Sequence, residues 1–360
     1  MSSSEAATHE SSQSSDISVQ ELVKKPLTSI PQRYIRLDHD EPSPLIQNET
    51  FCPEIPTISL QKMIQGEAAE HDQLEKLNSA CRDWGFFQVV DHGVSPLLLK
   101  KLKDEIEGFF GLPLKEKMKY KIRPGEVEGY GAVIRSEDNK LDWGDRIYMI
   151  TNPVGRRKPY LLPELPSSLR TILESYIAEL QELAMTLLRL VGKALKIEKR
   201  EMEVFEDGMQ ALRMTYYPPC PQPELVMGFN SHSDATGITI LNQVNGVHGL
   251  QIKKDGMWIP VNFVSEALVV NIGDILEIIS NGVYKSVEHR VTVNSNKERI
   301  SIAMFFNAKF QSEIGPSISL TNKENPPLFK RIKMEKYFKD YFNSRKLDGK
   351  SYLDHLKITN

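Results

Sequence analysis

Apolar residues recur at intervals of three and four at Ile172, Leu173, Tyr176, Ile177, Leu180, Leu183, Ala184, Leu187, Leu188, Val191 and Leu195, the spacing that lays one stripe along a long amphipathic helix. No basic face accompanies the stripe, so it predicts an element backing a core rather than one lying on lipid. From Ala211 the texture changes to short apolar runs separated by Gly, Asn and Pro, over residues 212–217, 238–241, 250–253, 258–261, 268–271, 275–280, 287–293 and 300–307. Runs of this length and spacing predict the strands of a jelly roll. Ahead of the helix, residues 53–60 predict a strand, 74–83 a helix and 84–90 a second strand. Behind the strands, Leu328, Phe329, Ile332, Tyr337, Phe338, Tyr341 and Phe342 form a helical stripe in a lysine-rich segment, which predicts an end helix packed on the barrel. The expected architecture is α+β: a jelly-roll core with an N-terminal helical and mixed domain and a C-terminal helix. Its expected divisions are a flexible lead-in over 1–50, an N-terminal domain over 51–165, a backing helix region over 166–206, the jelly roll over 207–309 and a C-terminal helix and tail over 310–360.

Composition narrows the function classes. The chain has 360 residues, 40% apolar and 26% charged, with a net charge of -3, enough to bury a large core and without a bias toward nucleic acid. The longest apolar stretch, 267–279, is broken by Asn271 and Asp274 and falls short of the roughly 20 residues a membrane span needs. Cys52, Cys81 and Cys220 have no zinc-type or disulfide-framework spacing, which points to a reducing, cytoplasmic setting. The polar, serine-rich opening through Ser18 has neither the apolar core of a secretory signal nor the arginines of a transit peptide, and its composition predicts disorder. No internal repeat is present, and the expected state is a monomer.

Chemistry enters at His232 and Asp234, two positions apart, which on an extended strand puts both side chains on one face. A third ligand-type residue, His289, follows 55 positions after Asp234. Two imidazoles and one carboxylate make up the facial triad of non-haem iron(II) oxygenases, which occupies three positions of an octahedron and leaves the others open. Arg299 and Ser301 come 10 and 12 positions after His289, and period two places Arg299, Ser301, Ala303 and Phe305 on one strand face. A guanidinium beside a hydroxyl forms a carboxylate receptor. Taken singly, His232-x-Asp234 is a common surface pair and Arg299 an ordinary salt-bridge partner; the ordered set of five is what carries meaning.

On these residues the chain resembles the 2-oxoglutarate- and iron(II)-dependent dioxygenases, whose pattern is His-x-Asp, a distal His, and Arg-x-Ser ten residues further on. Further landmarks are Trp84-Gly85-Phe86-Phe87, Ser136-Glu137-Asp138 with Leu141-Asp142-Trp143, Tyr216-Tyr217-Pro218-Pro219-Cys220-Pro221, Ser286-Val287-Glu288-His289-Arg290 and the tail 344–351. They resemble the plant branch that includes the thebaine and codeine O-demethylases and a norcoclaurine-synthase-like relative. The resemblance implies a double-stranded β-helix, iron(II) on His232, Asp234 and His289, 2-oxoglutarate as cosubstrate, O2, and ascorbate as reductant. It implies that the far carboxylate of 2-oxoglutarate rests on Arg299, Ser301 and Tyr217. Thr215 stands where the family usually has Asn, and Asp91 where the plant members usually have Asn. His92 is expected to be a turn residue and Tyr130 a loop anchor.

The implied reaction is hydroxylation of a C–H bond with release of succinate and CO2. On an O-methyl group the product collapses to formaldehyde and a free hydroxyl, so hydroxylation and O-demethylation share one site. Phe305, on the Arg299 face, is the expected substrate-facing aromatic, and the C-terminal stripe is expected to close over the pocket. Readings from other classes are a condensation enzyme, a metabolite-binding protein on the same fold, and an oxidase that uses ascorbate in place of 2-oxoglutarate. A dependence of succinate release on iron separates them.

Overall fold

The computed structural model describes residues 18–36, 53–64, 67–132, 140–344 and 352–358. The opening through residue 17, Cys52, the landmark 136–138, the tail 345–351 and the side chain of Phe342 lie outside the described residues. Among the described residues fourteen strands are numbered in chain order: β1 Thr57–Ser59, β2 Phe86–Val90, β3 Gly129–Tyr130, β4 Asp145–Asn152, β5 Gln210–Tyr217, β6 Phe229–His232, β7 Ile238–Gln243, β8 Leu250–Lys254, β9 Met257–Pro260, β10 Leu268–Ile272, β11 His289–Val291, β12 Arg299–Phe306, β13 Glu313–Ile314 and β14 Ile332–Lys333. They form an eight-stranded sheet in the order β1-β2-β10-β7-β12-β5-β4-β3 and a four-stranded sheet in the order β6-β11-β8-β9, with β13 and β14 paired separately. Ile252, Ile259, Val261, Val269, Leu250 and Phe86 pack together in a core contributed by both sheets, the two-sheet architecture of a jelly roll.

Strand β12 sits between β5 and β7 and is buried on both faces. Its even-numbered residues Ile300, Ile302, Met304 and Phe306 join the main core, where they meet Leu173, Leu180 and Leu187 of the helix Ser167–Ala194. Burying each such side chain contributes about 1.5–3 kcal/mol, so the helix holds the outer side of the large sheet. The odd-numbered residues Arg299, Ser301, Ala303 and Phe305 are left to line the interior between the sheets.

Three sequence expectations are corrected. The run 275–280, read as a strand, is the helix Asp274–Ile279. Ile275, Leu276, Ile278 and Ile279 are all buried, and an apolar run with no exposed face does not distinguish helix from strand. Glu277 N and Ser280 N close the helical turns on Gly273 O and Leu276 O. Second, strands β4 and β6 were absent from the eight expected, although β4 alternates buried and half-buried residues along its whole length. Third, the C-terminal helix spans Met334–Ser344, so Leu328, Phe329 and Ile332 precede it; Ile332 pairs in β14 and Phe329 forms a bridge with Lys357. Phe329, Tyr337, Phe338 and Tyr341 belong to the main core, and Tyr337 donates to Asp274 Oδ2 at 3.3 Å. The segment expected to close over the pocket thus contributes side chains to the main core.

The turn and loop residues take these positions. Asp91 has φ of 52°, a left-handed conformation that Asp and Asn tolerate best among non-glycines. His92 bonds the Val94 N–H through Nδ1 and the Glu266 carbonyl through Nε2. Tyr130 is buried and donates to Asp145 Oδ2 at 2.8 Å.

Candidate active site

His232 ends β6, Asp234 lies two residues on in the turn to β7, and His289 opens β11. Asp234 is thus past the strand rather than on it, and its direction is set by its contacts. Strands β6 and β11 pair antiparallel with His289 opposite His232, bringing the two imidazole centroids to 4.2 Å. One ligand atom from each of His232, Asp234 and His289 falls within 4.8 Å of the others. His232 Nδ1 lies 2.8 Å from the Asn230 carbonyl and His289 Nδ1 3.1 Å from the Val287 carbonyl. A carbonyl only accepts, so each Nδ1 carries the proton and each Nε2 presents a lone pair to the centre. Phe229 and Phe86 stand edge-on to the two rings at 4.3 and 5.3 Å.

The carboxylate is held just as firmly. Asp234 Oδ2 accepts from Thr239 Oγ1 at 2.7 Å and from Asn271 Nδ2 at 2.9 Å, and the Asp234 carbonyl accepts the Asp274 N–H at 2.8 Å. His232 Nε2 is 3.5 Å from Oδ1, and His289 Nε2 3.7 Å from Oδ2. Burial, reinforced by the neighbouring His289, pushes the His232 pKa down to about 3. Burial alone would raise the Asp234 pKa, but the His289 and His232 imidazoles and the Asn271 amide hold it well below the usual carboxylate range. Near neutrality the cluster is thus a neutral imidazole at His232 beside a carboxylate, the protonation state a divalent cation requires. Buried His232 Nε2 has no hydrogen-bond partner, so this donor set fits iron(II).

Arg299 lies opposite Tyr217 in the ladder between β12 and β5, and Ser301 lies between Thr215 and Gln243. Arg299 is only 1% exposed. Its Nη1 is 3.3 Å from Ser301 Oγ, its Nη2 donates to Gln243 Oε1 at 3.0 Å, and its Cζ stands 5.1 Å from the Tyr217 ring centroid. Among the described residues no carboxylate pairs with it, and burial lowers its pKa, with Tyr217 partly opposing. A buried cation with only neutral partners costs several kcal/mol, a cost that an incoming carboxylate offsets. All the expected site residues thus converge on the space between the sheets.

Phe305 joins Ala211 and Ala303 in an apolar cluster with Tyr148 and Leu241 packed against it. The Arg213 guanidinium lies 4.3 Å from the Phe229 ring and 5.3 Å from the Phe305 ring. A narrow cleft is lined by Asp142, Arg146, Thr215 and Phe229. Sequence reading missed Thr239, Gln243, Asn271 and Arg213. Gln243 and Thr239 stand opposite Ser301 and Phe305 in the ladder between β7 and β12, a register that no spacing within one strand encodes, and Asn271 reads in the sequence only as an interruption in an apolar run.

Comparison with known proteins agrees with this geometry. Residues 208–308 match the family described as the 2OG-Fe(II) oxygenase superfamily, and residues 55–166 match the non-haem dioxygenase in morphine synthesis N-terminal family. The chain belongs to the 2-oxoglutarate- and iron(II)-dependent oxygenases, and it is an oxidoreductase of their dioxygenase type that uses iron(II) and 2-oxoglutarate. It is 48% identical to codeine O-demethylase of Papaver somniferum, over 95% of this chain and 96% of that one. It is 47% identical to oxoglutarate-dependent flavonoid 7-O-demethylase 1 of Ocimum basilicum, over 95% and 91%. The solved structure of JOX2 in complex with 2OG, Fe and JA has a TM-score of 0.83 at 35% identity, covering 95% of this chain and 98% of that one.

Proposed function

We propose that His232, Asp234 and His289 hold iron(II), that Arg299, Ser301 and Tyr217 receive the far carboxylate of 2-oxoglutarate, and that the enzyme oxidises a C–H bond of a small plant specialised metabolite. An alkaloid, a phenolic, or a steroid or terpenoid scaffold fits this description. The observation that carries the reading is Arg299, a buried guanidinium with no acidic partner among the described residues, on the interior face of the barrel that holds the three-ligand cluster.

Iron(II) with 2-oxoglutarate supplies oxidative power: O2 and 2-oxoglutarate are consumed, one oxygen enters the substrate, and succinate and CO2 leave. The protein's own residues position and exclude. The Nδ1 donors of His232 and His289 fix both rings, while Thr239 and Asn271 hold one oxygen of Asp234. Phe305, with Tyr148 and Leu241, offers an apolar wall to the substrate and keeps water from the reacting carbon. If that carbon is an O-methyl, the hydroxylated group breaks down to formaldehyde and the free hydroxyl; the two O-demethylase relatives support this variant. The sparse cysteines support a cytoplasmic setting; among the described residues no helix is long and apolar enough to cross a membrane, and the proposed working state is a monomer.

The test is mass spectrometry of a plant metabolite extract incubated with protein, iron(II), ascorbate and O2, with and without 2-oxoglutarate, while succinate is followed. The expected result is a metabolite that changes only when 2-oxoglutarate is present, gaining one oxygen or losing CH2 with formaldehyde. Conversion that proceeds equally without 2-oxoglutarate would replace this reading with a condensation activity.

A further inference from the structure

We propose that Gly228 and Gly144 are positioning residues for the cosubstrate: their missing side chains leave the space in which the Tyr217 ring stands, an inference that rests on Tyr217 contacting 2-oxoglutarate. A Cβ on Gly228 would lie 2.8 Å from Tyr217 Cδ1, 3.1 Å from Cε1 and 3.0 Å from Val293 Cγ1. A Cβ on Gly144 would lie 3.0 and 3.4 Å from the same two ring atoms and 3.1 Å from the Tyr216 carbonyl oxygen. Two glycines from separate segments therefore close on one edge of one ring. Neither has a positive φ, so alanine would meet no backbone strain at either position, and what glycine supplies is room.

The two glycines adjoin strands that carry the site. Gly144 immediately precedes β4, and Gly228 immediately precedes β6, the strand that ends in His232. The Gly228 N–H donates to the Val291 carbonyl at 2.8 Å, which ties it to the strand opened by His289. Carbon atoms pack best at ~3.5–4.0 Å, so a methyl on Gly228 requires the ring to withdraw by roughly 0.7–1.2 Å. The ring is buried and lies under the Arg299 guanidinium, so withdrawal carries the phenol, and the cation above it, off the carboxylate. Gly249 gives Arg299 similar clearance, its Cβ falling 3.0 Å from Arg299 Cδ. That Cβ also falls 2.7 Å from the Thr292 carbonyl oxygen, so substitution there disturbs the main chain as well.

The experiment is calorimetric titration of 2-oxoglutarate into the full-length protein loaded with Mn(II), for wild type, Gly228→Ala, Tyr217→Ala and the double variant. A displacement near 1 Å can cost up to about 100-fold, and Gly228→Ala is expected to raise the 2-oxoglutarate Kd by about tenfold or more with the Mn(II) Kd unchanged. In the Tyr217→Ala background the glycine substitution should have no further effect, because the ring it displaces is gone. Wild-type affinity in Gly228→Ala, or an equal loss in both backgrounds, would overturn the proposal. If Tyr217→Ala alone binds 2-oxoglutarate like wild type, the failure lies in the assignment of Tyr217, and the proposal falls with it. Should Gly228→Ala not fold, Gly144→Ala carries the same two comparisons.

Discussion

Replacing Arg299 with lysine keeps the charge and removes the fork. In the native protein the two terminal nitrogens reach Ser301 Oγ at 3.3 Å and Gln243 Oε1 at 3.0 Å, and the group is 1% exposed. A single ammonium cannot serve these partners and also meet both oxygens of a carboxylate in one plane. A hydrogen bond to a charged group contributes about 1.5–3 kcal/mol, and about 1.4 kcal/mol is tenfold in Kd. Loss of one of two parallel bonds should therefore weaken 2-oxoglutarate by about 10- to 150-fold. The assay is succinate release against 2-oxoglutarate concentration at saturating substrate: KM for 2-oxoglutarate rises while kcat and the substrate KM hold, as expected for binding lost equally from ground and transition states. Thermal unfolding gives an independent reading. At about a hundred times the wild-type Kd the ligand adds about 2.7 kcal/mol to wild-type stability, and about 0.3–1.4 kcal/mol to the variant. An unchanged KM for 2-oxoglutarate, or an equal rise in both KM values, refutes the reasoning.

Asp234→Ala removes one of three ligands, so iron-dependent succinate release should fall to background while circular dichroism still reports a folded chain; turnover at the wild-type rate would remove the triad. Thr239→Val deletes the 2.7 Å bond to Asp234 Oδ2, and losing such an outer partner should weaken Mn(II) binding by about 10- to 100-fold, with unchanged affinity by calorimetry counting against it. Trp143→Ala empties a site that is 0% exposed, edge-on to Tyr34 at 5.2 Å and bonded through Nε1 to the Pro218 carbonyl at 3.2 Å; chemical denaturation should show a loss of about 3–5 kcal/mol, and a loss under about 1 kcal/mol, within the usual range for a surface change, contradicts that packing.

Elements with a strong period and one buried face were legible. The helix Ser167–Ala194 follows directly from spacings of three to four along its buried face, whereas strand β12, buried on both faces, is legible as a bounded run rich in isoleucine and phenylalanine. The misread element, Asp274–Ile279, is buried all round, so its hydrophobic pattern carries no phase. Strand β4 alternates in burial but not in residue type: Ile147, Tyr148, Met149 and Ile150 run unbroken between Arg146 and Thr151, so the period of two exists only in the fold.

The chemistry of the candidate metal-ligating set and of the candidate carboxylate receptor was legible in the sequence alone, because residue chemistry is local: imidazole, carboxylate, guanidinium and hydroxyl carry their donors and charges wherever the chain places them. What tertiary structure decided is which neighbours set those groups to work. Thr239 and Asn271 orient Asp234, Gln243 shares Arg299, and Gly144 and Gly228 make room for Tyr217. Each of these contacts joins residues from different strands or turns, and no periodicity within one element encodes a distance to another. Such distances exist only after β5, β7, β10 and β12 have taken their places in one sheet and β6 and β11 in the other.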